Sequence, residues 1–83
     1  MPYFAYMLHN QKGQRYLGIS SDPQSRLLQH NSGLSTWTAK HGPWHLVWTS
    51  RPLSLGDARR LELSLKRQKG GSGLDALLRD FGS

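Results

Sequence analysis

The chain contains no cysteine among its 83 residues, which excludes a disulfide framework, a thiolate zinc site and a cysteine nucleophile. It has only five acidic residues, four aspartates and the single glutamate Glu62, too few for a two-metal carboxylate cluster. No apolar run approaches the roughly 20 residues a membrane helix requires, and no signal-peptide core is visible. The chain therefore reads as a protein that stays where it is made, in the cytoplasm. Its length, 83 residues, allows one small domain (1–83) with a thin core.

Eleven Lys and Arg residues leave a net charge of +6. A polyanionic partner and a merely well-solvated surface both fit that sum, so the distribution decides. Arg59, Arg60, Lys66, Arg67 and Lys69 fall within eleven consecutive positions, and Lys40 adds a further cation in the middle of the chain. Basic clustering beside tyrosines and tryptophans points towards nucleic acid.

Residues 3–8 are aromatic and apolar and predict a strand, with Phe4, Tyr6 and Leu8 on one face and Tyr3, Ala5 and Met7 on the other. A polar turn around Gly13 leads into a second strand at 15–19, where Gly18 signals a bulge or a close approach to the backbone. Asp22-Pro23 opens a helix over about 23–31 as N-cap and first-turn proline, with Leu27 and Leu28 directed inward. Residues 32–43 read as a loop. The apolar run at 44–50 predicts a third strand, central or well covered. Ser54 and Asp57 cap a helix over about 55–69 that buries Leu55, Ala58, Leu61 and Leu65, and a short amphipathic segment closes the chain. The order β-β-α-β-α-α defines an α+β domain with a small, mostly antiparallel three-stranded sheet flanked by helices.

Three groups of residues could carry chemistry, and each has a plain alternative. Glu62 is a hard oxygen ligand inside the basic cluster, or the partner of Lys66 one helical turn away. Tyr6 and Tyr16 lie on adjacent strands, as a functional pair or as cross-strand packing. Arg26 and His30 share one helix face, as a site or as a polar surface. The histidines are too scattered for a sequence-local metal site.

Their order resembles a known pattern. A strand ending in Tyr6, the run Tyr16-Leu17-Gly18, D-P-x-x-R-L-x-x-H-N over 22–31, G-P-W over 42–44 and L-E-x-x-L-K over 61–66 are similar to the GIY-YIG endonuclease family. The likeness is greatest to its compact single-domain branch, related to the nuclease domain found in bacterial excision repair, and it covers residues 3–69. It implies a DNA endonuclease of the kind used in repair, with catalytic Tyr6, Tyr16, Arg26, His30 and Glu62 and one Mg²⁺ or Mn²⁺ on Glu62. The partner would be single-stranded, branched or damaged DNA, chosen by strand type or structure rather than long sequence, and contacted through Lys40, Arg59, Arg60, Lys66, Arg67 and Lys69. The protein would work as a monomer or weak homodimer. The first signature lacks its glycine, reading Phe4-Ala5-Tyr6, and Ser35-Thr36-Trp37-Thr38 stands where relatives carry a lysine and a tyrosine. A catalytically inactive nucleic-acid-binding module on the same scaffold is the rival reading. In the enzyme reading a tyrosine serves as general base, its pKa lowered by Arg26 and the metal, and Gly18 favours Tyr16 for the role.

Overall fold

The apolar first strand lies at the centre of the sheet, which is why it can be apolar on both faces. In the computed structural model, which describes residues 1–32, 36–68 and 71–82, β1 (Phe4–Asn10) pairs antiparallel with β2 (Arg15–Ser20) on one side and β3 (Trp44–Thr49) on the other. The hairpin between β1 and β2 is closed by Asn10, whose Oδ1 accepts from the backbone N–H groups of Lys12 and Gln14 at 3.1 and 2.9 Å. Gly13 supplies the positive φ of 79° that this turn needs. On the other side of β1 the register with β3 shifts between Met7 and Leu8.

Helix α1 (Pro23–Asn31) starts as the sequence predicts: Asp22 Oδ1 accepts from Ser25 N–H at 3.2 Å, and Pro23 occupies the first turn. Helix α3 (Leu55–Arg67) is capped by Ser54, whose hydroxyl oxygen accepts from Asp57 N–H at 3.1 Å. Its apolar stripe of Ala58, Leu61 and Leu65 is buried. Leu61 and Leu65, with Leu74 of α4 (Ser72–Phe81), pack against Ala5 and Met7 of β1. The opposite face of β1 buries Tyr6 and Leu8 against Trp44, with Tyr16, Leu27 and Leu46 around them. The alternation of β1 thus divides the interior into two clusters.

Four expectations need correction. The α+β fold and its β-β-α-β-α-α order stand, but the predicted loop at 32–43 contains a further short helix, α2 (Thr36–His41). The third strand is an edge strand rather than a central one, and Val47 is 48% exposed. Leu28 points outward at 70% exposure, because α1 turns Leu27 and His30 to the sheet. Leu55, at the first turn of α3, is half-buried.

Candidate active site

Four of the five predicted residues meet on the Tyr6 face of the sheet. Tyr6 and Tyr16 rings lie 6.3 Å apart between centroids, and His30 lies 6.3 Å from Tyr6 and 4.6 Å from Tyr16. Strand pairing places Tyr6 opposite Gly18 and Tyr16 opposite Leu8, so both tyrosines share one face of the hairpin. Helix α1 lies over that face and brings His30 from its last turn. Arg26, one turn earlier, lies close enough to the Tyr6 phenol to act on its pKa and donates through Nη1 to Gln29 Oε1 at 2.5 Å.

Of the two readings of Gly18, the close approach to its backbone is the one present, and what approaches is the Tyr6 ring. The glycine gives no extra room to Tyr16 or to substrate. A Cβ at position 18 would stand 2.6 Å from the Tyr6 hydroxyl, so the missing side chain is the space the Tyr6 ring fills. The irregularity in the sheet lies elsewhere, between Met7 and Leu8.

The buried groups are joined by hydrogen bonds. Tyr6 and His30 are each 1% exposed, and the Tyr6 hydroxyl lies 3.1 Å from His30 Nε2. His30 Nδ1 lies 3.0 Å from Thr38 Oγ1, a residue with no exposed surface. Thr38 belongs to α2, and its carbonyl accepts from Trp44 Nε1 at 2.7 Å. Asn31 fixes Trp44 in turn: its Oδ1 accepts from Trp44 N–H at 2.7 Å and its Nδ2 donates to the Trp44 carbonyl at 3.0 Å. The end of α1, helix α2 and the start of β3 are thereby locked around the histidine.

Electrostatics follow from the same geometry. Burial raises the pKa of Tyr6, outweighing the N–H donors and positive charge of Arg26; the nearby Tyr16 and Glu62 push in the same direction as burial. In the free protein Tyr6 is therefore a phenol. His30 moves the other way: burial, then the Arg26 charge, lower its pKa below 6.5 and keep the imidazole neutral.

Glu62 approaches from α3 rather than α1. It lines a cleft of about 350 Å³ with Arg15, Tyr16, Leu17, Leu65, Lys66 and Gln68. Tyr16 is the shared wall between this cleft and the His30 cluster. The Lys66 ammonium lies 3.5 Å from Glu62 Oε2, so the ion pair read from helical spacing is present. The Glu62 side chain is 19% exposed, a hard oxygen donor facing an open cleft. Among the described residues no group of three or more His, Asp or Glu could hold a metal ion. A divalent cation on Glu62 would then complete its shell with water and substrate oxygens, an arrangement ordinary for Mg²⁺.

The predicted DNA contacts divide. Lys66 lines the Glu62 cleft, and Arg59, three residues before Glu62, shares its side of α3. Arg60 faces another groove with Arg51 and Phe81 and is paired with Asp57 at 2.6 Å. Lys40 is exposed in the last turn of α2, Arg67 is exposed at the end of α3, and Lys69 lies outside the described residues. Sequence reasoning missed Arg15, Gln68, Gln29 and Thr38. Arg15, next to Tyr16, and Gln29, three residues after Arg26, had a signal in their spacing. Thr38 had none, since its contact depends on a helix that was read as loop.

The three-stranded antiparallel sheet with helices on it is the fold that the sequence resemblance implies. Residues 2–74 match the family model of the GIY-YIG catalytic domain, and the chain belongs to that family. Its curated relatives include a UPF0213 protein of Aeromonas hydrophila, 42% identical over 67 residues that make up 80% of this chain and 49% of the relative. A UPF0213 protein of Aeromonas salmonicida is 42% identical over 64 residues, 76% of this chain and 47% of the relative. Another, from Nitratidesulfovibrio vulgaris, is 31% identical over 67 residues, 80% of this chain and 61% of the relative. The chain spans about half the length of the first two. No solved structure matches it significantly.

Proposed function

We propose that the protein is a divalent-metal-dependent endonuclease that hydrolyses phosphodiester bonds in DNA. The observation that carries this reading is the position of Tyr16, which packs on His30 at 4.6 Å while lining the cleft of Glu62. A proton-handling cluster and a metal-capable carboxylate then share one wall. Glu62 would hold one Mg²⁺ or Mn²⁺, and the ion when bound supplies Lewis-acid stabilisation of charge on the phosphoryl and leaving oxygens. Arg15 and Lys66 at the cleft provide contacts for the phosphate backbone. Arg26 donates to Gln29, and its remaining N–H groups present a fixed positive fork to the scissile phosphate.

The raised pKa of Tyr6 disfavours a resident phenolate, and its hydroxyl, 3.1 Å from His30 Nε2, is placed to act as a shuttle instead. Its oxygen takes a proton from the attacking water while its own proton passes to His30 Nε2. Tyr6 ends as a phenol and His30 as an imidazolium, which returns its proton to solvent after turnover. Tyr16, at the cleft wall, orients water and phosphate.

The decisive test incubates the purified protein with labelled single-stranded, duplex and branched DNA in Mg²⁺, Mn²⁺ or EDTA, beside Glu62→Ala. Cleavage should require the metal and vanish in the variant, while the melting temperature and most DNA affinity persist. Full cleavage by Glu62→Ala in the presence of metal would overturn the assignment. Salt-dependent DNA binding without cleavage under any condition would identify the inactive binding module.

A further inference from the structure

The hydrogen bonds through Tyr6, His30 and Thr38 have a direction set by what each group can donate. A guanidinium only donates, so Arg26, beside the phenol, offers the Tyr6 O–H no acceptor. The phenol has one proton of its own and is almost wholly buried. Among the described residues, the acceptor within hydrogen-bonding distance of that oxygen is His30 Nε2, at 3.1 Å. Were Nε2 protonated, the Tyr6 oxygen would accept from it, and the buried O–H would lack an acceptor among the described residues, an arrangement native interiors avoid.

Nε2 is therefore the acceptor, and a neutral imidazole must carry its single proton on Nδ1. That N–H points at Thr38 Oγ1, 3.0 Å away. Solvent does not compete there, because Thr38 has no exposed surface. The threonine is itself held, by the turn of α2 around it and by the Trp44 indole N–H on its carbonyl. The order of donation is Tyr6 to His30, His30 to Thr38.

We infer that Thr38 is a positioning residue for His30: its hydroxyl oxygen accepts the Nδ1–H, fixes the tautomer and ring orientation, and leaves Nε2 bare towards Tyr6. Its catalytic consequence rests on the nuclease reading, but the tautomer is a property of the free protein. In the shuttle above, the Tyr6 O–H bond breaks as Nε2–H forms, and the Nδ1–H bond to Thr38 strengthens as the ring becomes cationic. Thr38 touches no reacting atom. It sets which nitrogen is available.

Long-range ¹H–¹⁵N spectra of the histidine side chains at neutral pH, without DNA or metal, test this. Wild-type His30 should be the Nδ1–H tautomer. Thr38→Val, which keeps the shape and removes the oxygen, should give a tautomer mixture or the Nε2–H form, and Thr38→Ser should restore the wild-type spectrum. In cleavage assays Thr38→Val should lower kcat by about ten- to a hundredfold at unchanged KM, the range seen when a functional histidine loses its supporting partner, with Thr38→Ser close to wild type. An Nε2–H tautomer in the wild type overturns the inference even if Thr38→Val fails to fold, and so does an unaltered tautomer in a folded Thr38→Val. Absence of cleavage by the wild type would remove the nuclease reading, while the spectrum would still decide the tautomer.

Discussion

The two faces of β1 are about equally buried and built on different principles. Ala5 and Met7 look onto Leu61, Leu65 and Leu74, where contact is entirely apolar. Tyr6 and Leu8 look onto Trp44 and, beyond it, His30 and Thr38, whose polar atoms are hydrogen-bonded to one another. Apolar contact is forgiving about direction, whereas a buried phenol, imidazole and hydroxyl are tolerated only in one mutual geometry. One face supplies stability. The other supplies a fixed arrangement of proton donors and acceptors, at the cost of desolvating them.

That contrast can be broken from either side, and the largest effect belongs to the polar face. Tyr6→Phe keeps the ring over Gly18 and removes the shuttle. Cleavage should fall by about 10²–10⁴-fold, the usual weight of a positioned acid–base group, while stability changes by only about 1 kcal/mol for the lost hydrogen bond. Single-turnover cleavage beside a denaturant melt measures both numbers on one preparation. Leu65→Ala should behave in the opposite way. It should cost about 2–5 kcal/mol of stability through lost burial and the cavity left behind. Because Leu65 also lines the Glu62 cleft, the companion variant Leu74→Ala, in the same apolar cluster but away from that cleft, should leave the folded molecules cleaving at the wild-type rate. Urea midpoints and turnover corrected for the folded fraction are the readouts.

The smallest effect is a slope. His30 has a folded-state pKa below its ordinary 6.5, so its contribution to stability is complete above pH 6.5 and is lost as pH falls through the lowered value. Stability should therefore decline on mild acidification, well before the capping carboxylates of Asp22 and Asp57 titrate below their ordinary 3.8. His30→Gln should flatten this part of the profile even if it lowers the whole curve. Urea midpoints across the range decide it, and an unchanged slope in the variant would separate the acid sensitivity from His30.

Most of the apolar face was legible in the sequence, because its signals are local. The cap at Ser54 and the spacing of Ala58, Leu61 and Leu65 depend on residues a turn or two apart. The polar face was legible only as an inventory of Tyr6, Tyr16, Arg26, His30 and Glu62. Strand order was hidden because β1 and β3 are both apolar runs, and only their partners across the sheet distinguish centre from edge. Leu28 was misplaced because a polar residue, His30, took an inward position that hydrophobic patterning assigns to leucine. The raised pKa of Tyr6 was not legible for a related reason: charge can be read along a chain, but desolvation is set by how the chain folds around the group.

Gly18 carries no functional group, yet it sits beneath the phenol, where a Cβ would come within 2.6 Å of the Tyr6 hydroxyl. In a selection scored on activity, its tolerance would thus resemble that of a reactive residue: substitutions, however small, force the ring away from His30. A map of intolerant positions would show Gly18 beside Tyr6 for opposite reasons, one for the atoms it brings and the other for the volume it leaves empty.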